Sequence, residues 1–128
     1  MYKDRPNDIR EAYKIAMCLL RYYNCKVNIE ATRMGMVTWA REKNCLNYFM
    51  KRPRATLTDV KYGTTKQYGT PATKTIIEQH TDLTAAFVED YCHTIWFEEM
   101  LQQLTSYNDE NKGKFDIIAA MGMTELAD

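Results

Sequence analysis

No apolar run in these 128 residues approaches the ~20 residues that a membrane-spanning helix needs. The opening MYKDRPND is polar and lacks the layout of a signal peptide. Cys18, Cys25, Cys45 and Cys92 form no C-x-x-C pair, so neither a zinc site nor a disulfide framework is indicated. They read as reduced core thiols of a cytoplasmic protein. No glycine-rich loop of the Walker type occurs, which removes the NTPases. No Ser/His/Asp or Cys/His arrangement is readable, and no internal repeat or low-complexity segment is evident. Lysine and arginine are missing altogether from residues 75–110, which hold eight acids; these read as the solvent faces of helices.

What is present fits one compact domain over residues 1–128. The hydrophobic fraction of 45% is ordinary for a globular protein. Net charge is zero but unevenly spread. Residues 51–74 carry Lys51, Arg52, Arg54, Lys61, Lys66 and Lys74 against the single acid Asp59. Such a stretch is either a solvated loop or a phosphate-contacting one.

The pattern along the chain alternates. Asp8, with Glu11 three residues on, has the spacing of a capping box. Ile9, Ala12, Tyr13, Ala16, Met17 and Leu20 then recur at helical spacing, and Asn24 and Cys25 break the pattern. Residues 27–30 read as a short buried strand ending in a carboxylate. A second helix over about 33–43 turns Met36, Trp39 and Ala40 inward. Residues 46–51 read as a second strand stopped by Pro53, and 53–70 as a loop or irregular hairpin. Thr70 followed by Pro71 predicts a helix start. The face that follows comprises Ile76, Ile77, His80, Leu83, Thr84, Phe87 and Val88. An extended piece near 92–95 precedes a helix with Phe97, Met100, Leu101 and Leu104 inward. The stretch NDENKGK reads as a loop. A last helix begins near Asp116 with Ile117, Ala120, Met121 and Met123 inward.

Helices alternating with short strands predict an α/β layer with a small, mainly parallel sheet. Functional groups of such sheets gather at the carboxyl ends of the strands. Glu30 stands at such an end, either leaving into solvent or facing the crevice. Asp116 is either a plain helix cap or a second crevice carboxylate. Two such oxygen ligands could hold Mg²⁺ or Mn²⁺, and paired metals would activate water for phosphodiester cleavage. His80 reads as a core or boundary histidine, and His93 could end a strand near the crevice.

VNIEATRMG resembles the second acidic motif of the nuclease domain in the large subunit of tailed-phage terminases. QYGTPATKTIIEQ is similar to that family's Gly-Thr-rich entry into the next helix. TIWFEEMLQQLTSY resembles its short strand and following helix, and NKGKFDIIAAMGMTELAD its closing segment. The resemblance implies an incomplete ribonuclease H-like three-layer fold and a Mg- or Mn-dependent endonuclease that cuts concatemeric viral DNA in the host cytoplasm. Glu30 and Asp116 match the second and third metal-binding acids. Lys51, Arg52, Arg54, Lys61 and Lys66 would contact duplex DNA, with other terminase and portal components as partners and no membrane.

Two departures qualify that expectation. Phe115 stands where the family's closing motif usually has another Asp, and its first acid would lie upstream of everything here. The chain then corresponds to the C-terminal portion of a nuclease domain, inactive or weak alone. Its first strand would have a bare edge, which predicts a homodimer or other self-association. Two further readings stay open: a non-catalytic DNA-binding or assembly module of the same fold, and an unrelated small α/β interaction protein.

Overall fold

The computed structural model describes residues 6–31, 34–52, 68–108, 110 and 115–127. The chain divides into two compact units, Met1–Ala72 and Thr73–Asp128.

In the first unit, α1 (Ile9–Tyr22) starts at Asp8, whose Oδ1 accepts a hydrogen bond from the Arg10 N–H at 2.9 Å. Its buried residues are Met17 and Leu20, while Ile9 is exposed. α2 (Gly35–Glu42) buries Val37 and Ala40, with Met36 and Trp39 half-buried beside them. The Tyr13 and Trp39 rings, 5.8 Å apart, join the two helices.

Both helices end in the same device. Asn24 and Asn44 adopt left-handed backbone, with φ of 48° and 55°. Asn24 N–H donates to Arg21 O and Cys25 N–H to Leu20 O; Asn44 N–H donates to Arg41 O and Cys45 N–H to Ala40 O. Each is a Schellman motif, in which the backward turn satisfies the last orphan carbonyls. Asn tolerates the left-handed well better than other side chains do. The sequence is therefore not free of internal similarity: Arg-x-x-Asn-Cys occurs at 21–25 and again at 41–45.

After each motif the chain extends, but no sheet forms among the described residues. Val27 pairs in parallel with Phe49, Glu30 in parallel with Thr70, and Lys51 antiparallel with Tyr68. Val27 exchanges hydrogen bonds with Tyr48 O and Met50 N. Ile29 O and Ala31 N do so with the two backbone groups of Thr70. Residues 27, 29 and 31 face one side of an extended segment, so two partners divide a single edge and neither pairing propagates. Two local features keep the contacts short. Leu46–Tyr48 is a 3₁₀ turn rather than strand. Gly69, at φ 79°, bends the third segment. The expected ribonuclease H-like α/β fold is thus overturned: among the described residues, five α-helices and three isolated pairings replace helices around a parallel sheet.

The core of the first unit is Met17, Leu20, Val37, Ala40, Cys45 and Phe49. Arg21 covers one side of it. Its guanidinium stands 6.0 Å from the Tyr48 ring centre and donates to Cys45 Sγ at 3.4 Å.

In the second unit, α3 (Lys74–Tyr91) begins later than the sequence indicates. Thr73 is the cap, its Oγ1 accepting from Ile76 N–H at 3.4 Å. Thr70 is unavailable for that role because its N–H and carbonyl are both committed to the 29–31 segment. α3 buries Ile76, His80 and Thr84; Leu83 is exposed. Cys92–Thr94 is a 3₁₀ turn, not an extended piece. α4 (Glu98–Ser106) has no fully buried residue, and Leu101, expected inward, is exposed.

α5 (Asp116–Glu125) buries Ile118, Met121 and Gly122, whereas Ala120, expected inward, is exposed. Ile117, Ile118, Ala119, Ala120 and Met121 are apolar in succession, so periodicity cannot choose the face. The choice falls to packing against α3. Thr81 Oγ1 lies 3.3 Å from Tyr107 Oη, and the Tyr107 and Phe115 rings are 6.0 Å apart. No helix among the described residues is long and apolar enough to cross a membrane.

Candidate phosphate-binding cleft

The two carboxylates expected to share a metal are in different units. Glu30 is exposed, on the extended segment of the first unit, where it pairs with Thr70. The threonine is wholly buried, and its Oγ1 donates to Asn28 Oδ1 at 3.0 Å. Asp116 is exposed at the first position of α5, one residue beyond the Phe115 cap position. There a negative charge complements the positive end of the helix dipole. Among the described residues no three His, Cys, Asp or Glu side chains gather as a metal site would require. Within either unit the described residues thus supply no donor set for the implied Mg or Mn ions.

The histidines also separate by role. His80 is buried between α3 and α5, where burial holds its pKa below the usual 6.5. His93 is exposed in the 3₁₀ turn Cys92–Thr94 rather than at a strand end.

The basic residues divide further. Lys51 is exposed, but Arg52 is only 6% exposed. That burial corrects its assignment to a solvent-facing phosphate contact. Lys74 lies 3.8 Å from Glu78 on the surface of α3. Arg54, Lys61 and Lys66 lie outside the described residues.

A different group of side chains forms a concave site. Lys26, Leu46, Asn47, Phe49, Met50, Lys51 and Tyr68 line an open cleft of about 390 Å³ in the first unit. Its construction follows from the local fold. The Schellman turn at Asn24 delivers Lys26 to the start of the extended segment. Pairing of Val27 with Phe49 and of Lys51 with Tyr68 sets the walls. Phe49 is buried beneath, while Lys26 and Lys51 are exposed. The cleft is thus lined by two lysines, an asparagine and a tyrosine together with apolar residues. That chemistry suits an anion carried on a larger body, a phosphate above all. Lys26 escaped the sequence reading because it stands alone, distant in sequence from the basic stretch; its position directly after the Asn-Cys break was the available signal.

No family model matches this chain, and neither a curated protein nor a solved structure is significantly similar to it.

Proposed function

We propose that this chain is a non-catalytic nucleic-acid-binding module whose first unit holds the phosphate backbone of duplex DNA. The observation that carries the reading is the shared cleft of Lys26 and Lys51. Lys51 also opens a stretch, 51–66, that carries Arg54, Lys61 and Lys66 further on against one acid, Asp59. Clustered lysines that release counterions from DNA supply affinity without sequence preference. Duplex DNA as the partner follows from the terminase resemblance. Hydrolysis is not part of the proposal, because no group of three metal-ligating side chains occurs among the described residues.

The test is fluorescence anisotropy with a labelled duplex, comparing the full chain with Lys26→Ala, Lys51→Ala and the double variant. The expected result is weaker binding by each variant, to a similar degree on duplexes of unrelated sequence. Lys43→Ala, at an exposed lysine that does not line the cleft, should bind as the parent does. Equal affinity of the parent and the double variant, or no binding by the parent, would overturn the reading.

A further inference from the structure

The cleft of the first unit is larger than a phosphate requires. Its volume of about 390 Å³ falls in the ~300–1,000 Å³ range of sites that hold whole small molecules. Its lining has two parts. Lys26 and Lys51 are exposed and cationic, whereas Leu46, Met50 and Tyr68 are half-buried and apolar or aromatic. Asn47, exposed in the same lining, carries an amide that both donates and accepts hydrogen bonds.

The backbone of a blunt duplex uses only the first part. It offers phosphates and sugars, while the faces of its bases are stacked within the helix. Leu46, Met50 and Tyr68 would then have no apolar counterpart. An unpaired nucleotide uses both parts. Its phosphate meets lysine, and its base presents a flat face for stacking and a polar edge for hydrogen bonds. The pairing that builds the cleft favours such an occupant. Lys51 and Tyr68 are directly opposed in an antiparallel bridge, so their side chains leave the same face of it, with Cβ atoms ~5 Å apart. One nucleotide spans a cation and a ring so placed. The cleft is also open rather than enclosed, which admits a nucleotide still joined to its strand.

Resting on the phosphate reading above, we infer that this cleft seats one unpaired nucleotide of a DNA strand. Lys26 and Lys51 hold its phosphate, and Tyr68, with Leu46 and Met50, receives its base. DNA with a single-stranded extension beside its duplex is then bound more tightly than blunt duplex. Stacking accepts every base, so the preference is for unpaired structure and not for sequence.

The experiment is fluorescence anisotropy of the full chain with three labelled DNAs that share one duplex. The first is blunt, the second has a short single-stranded extension, and the third has the same extension made of abasic nucleotides. The two extensions carry equal numbers of phosphates, so a difference between them reports the bases alone. The expected result is roughly tenfold tighter binding of the intact extension than of the abasic one. Tyr68→Leu keeps an apolar side chain but removes the ring, and should bring that ratio toward one; circular dichroism verifies that the variant is folded. Equal affinity for the two extensions, with blunt-duplex binding still weakened in Lys26→Ala/Lys51→Ala, would overturn this inference and leave the phosphate reading standing. A full preference retained by folded Tyr68→Leu would also overturn it. So would displacement of the extended DNA by an equal concentration of nucleoside monophosphate, because that assigns the cleft to a free nucleotide. No binding of any of the three DNAs would overturn both readings.

Discussion

Gly122 of α5 lies directly against the imidazole of His80 in α3: a Cβ at Gly122 would stand 2.5 Å from His80 Nδ1 and 2.8 Å from its Cβ. Gly122→Ala therefore forces the two helices apart or drives the imidazole from its place. Overpacking of this kind typically destabilises by about 1–3 kcal/mol. Urea unfolding followed by helical circular dichroism should show a lower midpoint. An unchanged midpoint would mean that the helices separate freely.

The same contact sets a pH response. Burial lowers the pKa of His80 below 6.5, so the unfolded chain binds this proton more readily than the folded chain does. Stability contributed by neutral His80 is complete above pH 6.5. It declines as pH falls from there toward the lowered folded value. Unfolding midpoints measured between neutral pH and pH 5 should fall more steeply for the parent than for His80→Gln. Parallel slopes would remove His80 as the cause.

Gly69 carries a second constraint. Its φ of 79° lies in the left-handed region, and an added Cβ would meet Ile29 O at 2.5 Å and Ile29 Cγ1 at 2.8 Å. The obstacle is partly backbone, which cannot rotate away. Gly69→Ala should destabilise by about 1–3 kcal/mol through strain alone. It should also disturb the Thr70 pairing with Ile29 and Ala31. Thermal unfolding measures the first effect; hydrogen exchange at the Ala31 and Thr70 amides reads the second, as lost protection.

Much of the helical content was legible in the sequence, but the sheet that it also suggested does not form among the described residues. Asp8 marked the start of α1, and the Asn24-Cys25 break marked its end. The run from Ile76 through Thr84 gave the buried face of α3 by its spacing. Residues 27–30 and 46–51 look like strands because short apolar runs do, whatever they pair with. What they lack is a continuous partner. A 3₁₀ turn takes up Leu46–Tyr48, and Thr70 shares the edge that Val27 begins. Such long-range competition has no local signature. The repeated Arg-x-x-Asn-Cys was readable, but its meaning depends on backbone at positive φ. Glu30 and Asp116 were chosen for a crevice of a fold that is not present. Lys26 and Lys51, by contrast, line one cleft that only folding assembles.

The paired Schellman motifs make a further prediction. Asn24→Gly and Asn44→Gly should be tolerated, because glycine enters the left-handed region without steric penalty. The corresponding Val substitutions place a β-branched side chain there and should destabilise by roughly 1–2 kcal/mol. Asn44→Val should be the more damaging of the two, since it also displaces Cys45 from the core of the first unit. Chemical unfolding of the four variants tests both the sign and the order.

The central claim, that Lys26 and Lys51 neutralise DNA phosphates, is tested most directly by the salt dependence of duplex binding. Each phosphate contact contributes about 0.9 to the slope of log affinity against log salt concentration. Parent and Lys26→Ala/Lys51→Ala chains are titrated with one duplex across a series of salt concentrations. The account predicts a slope shallower by about 1.8 in the double variant, from two contacts at that value. A slope identical to that of the parent would contradict it.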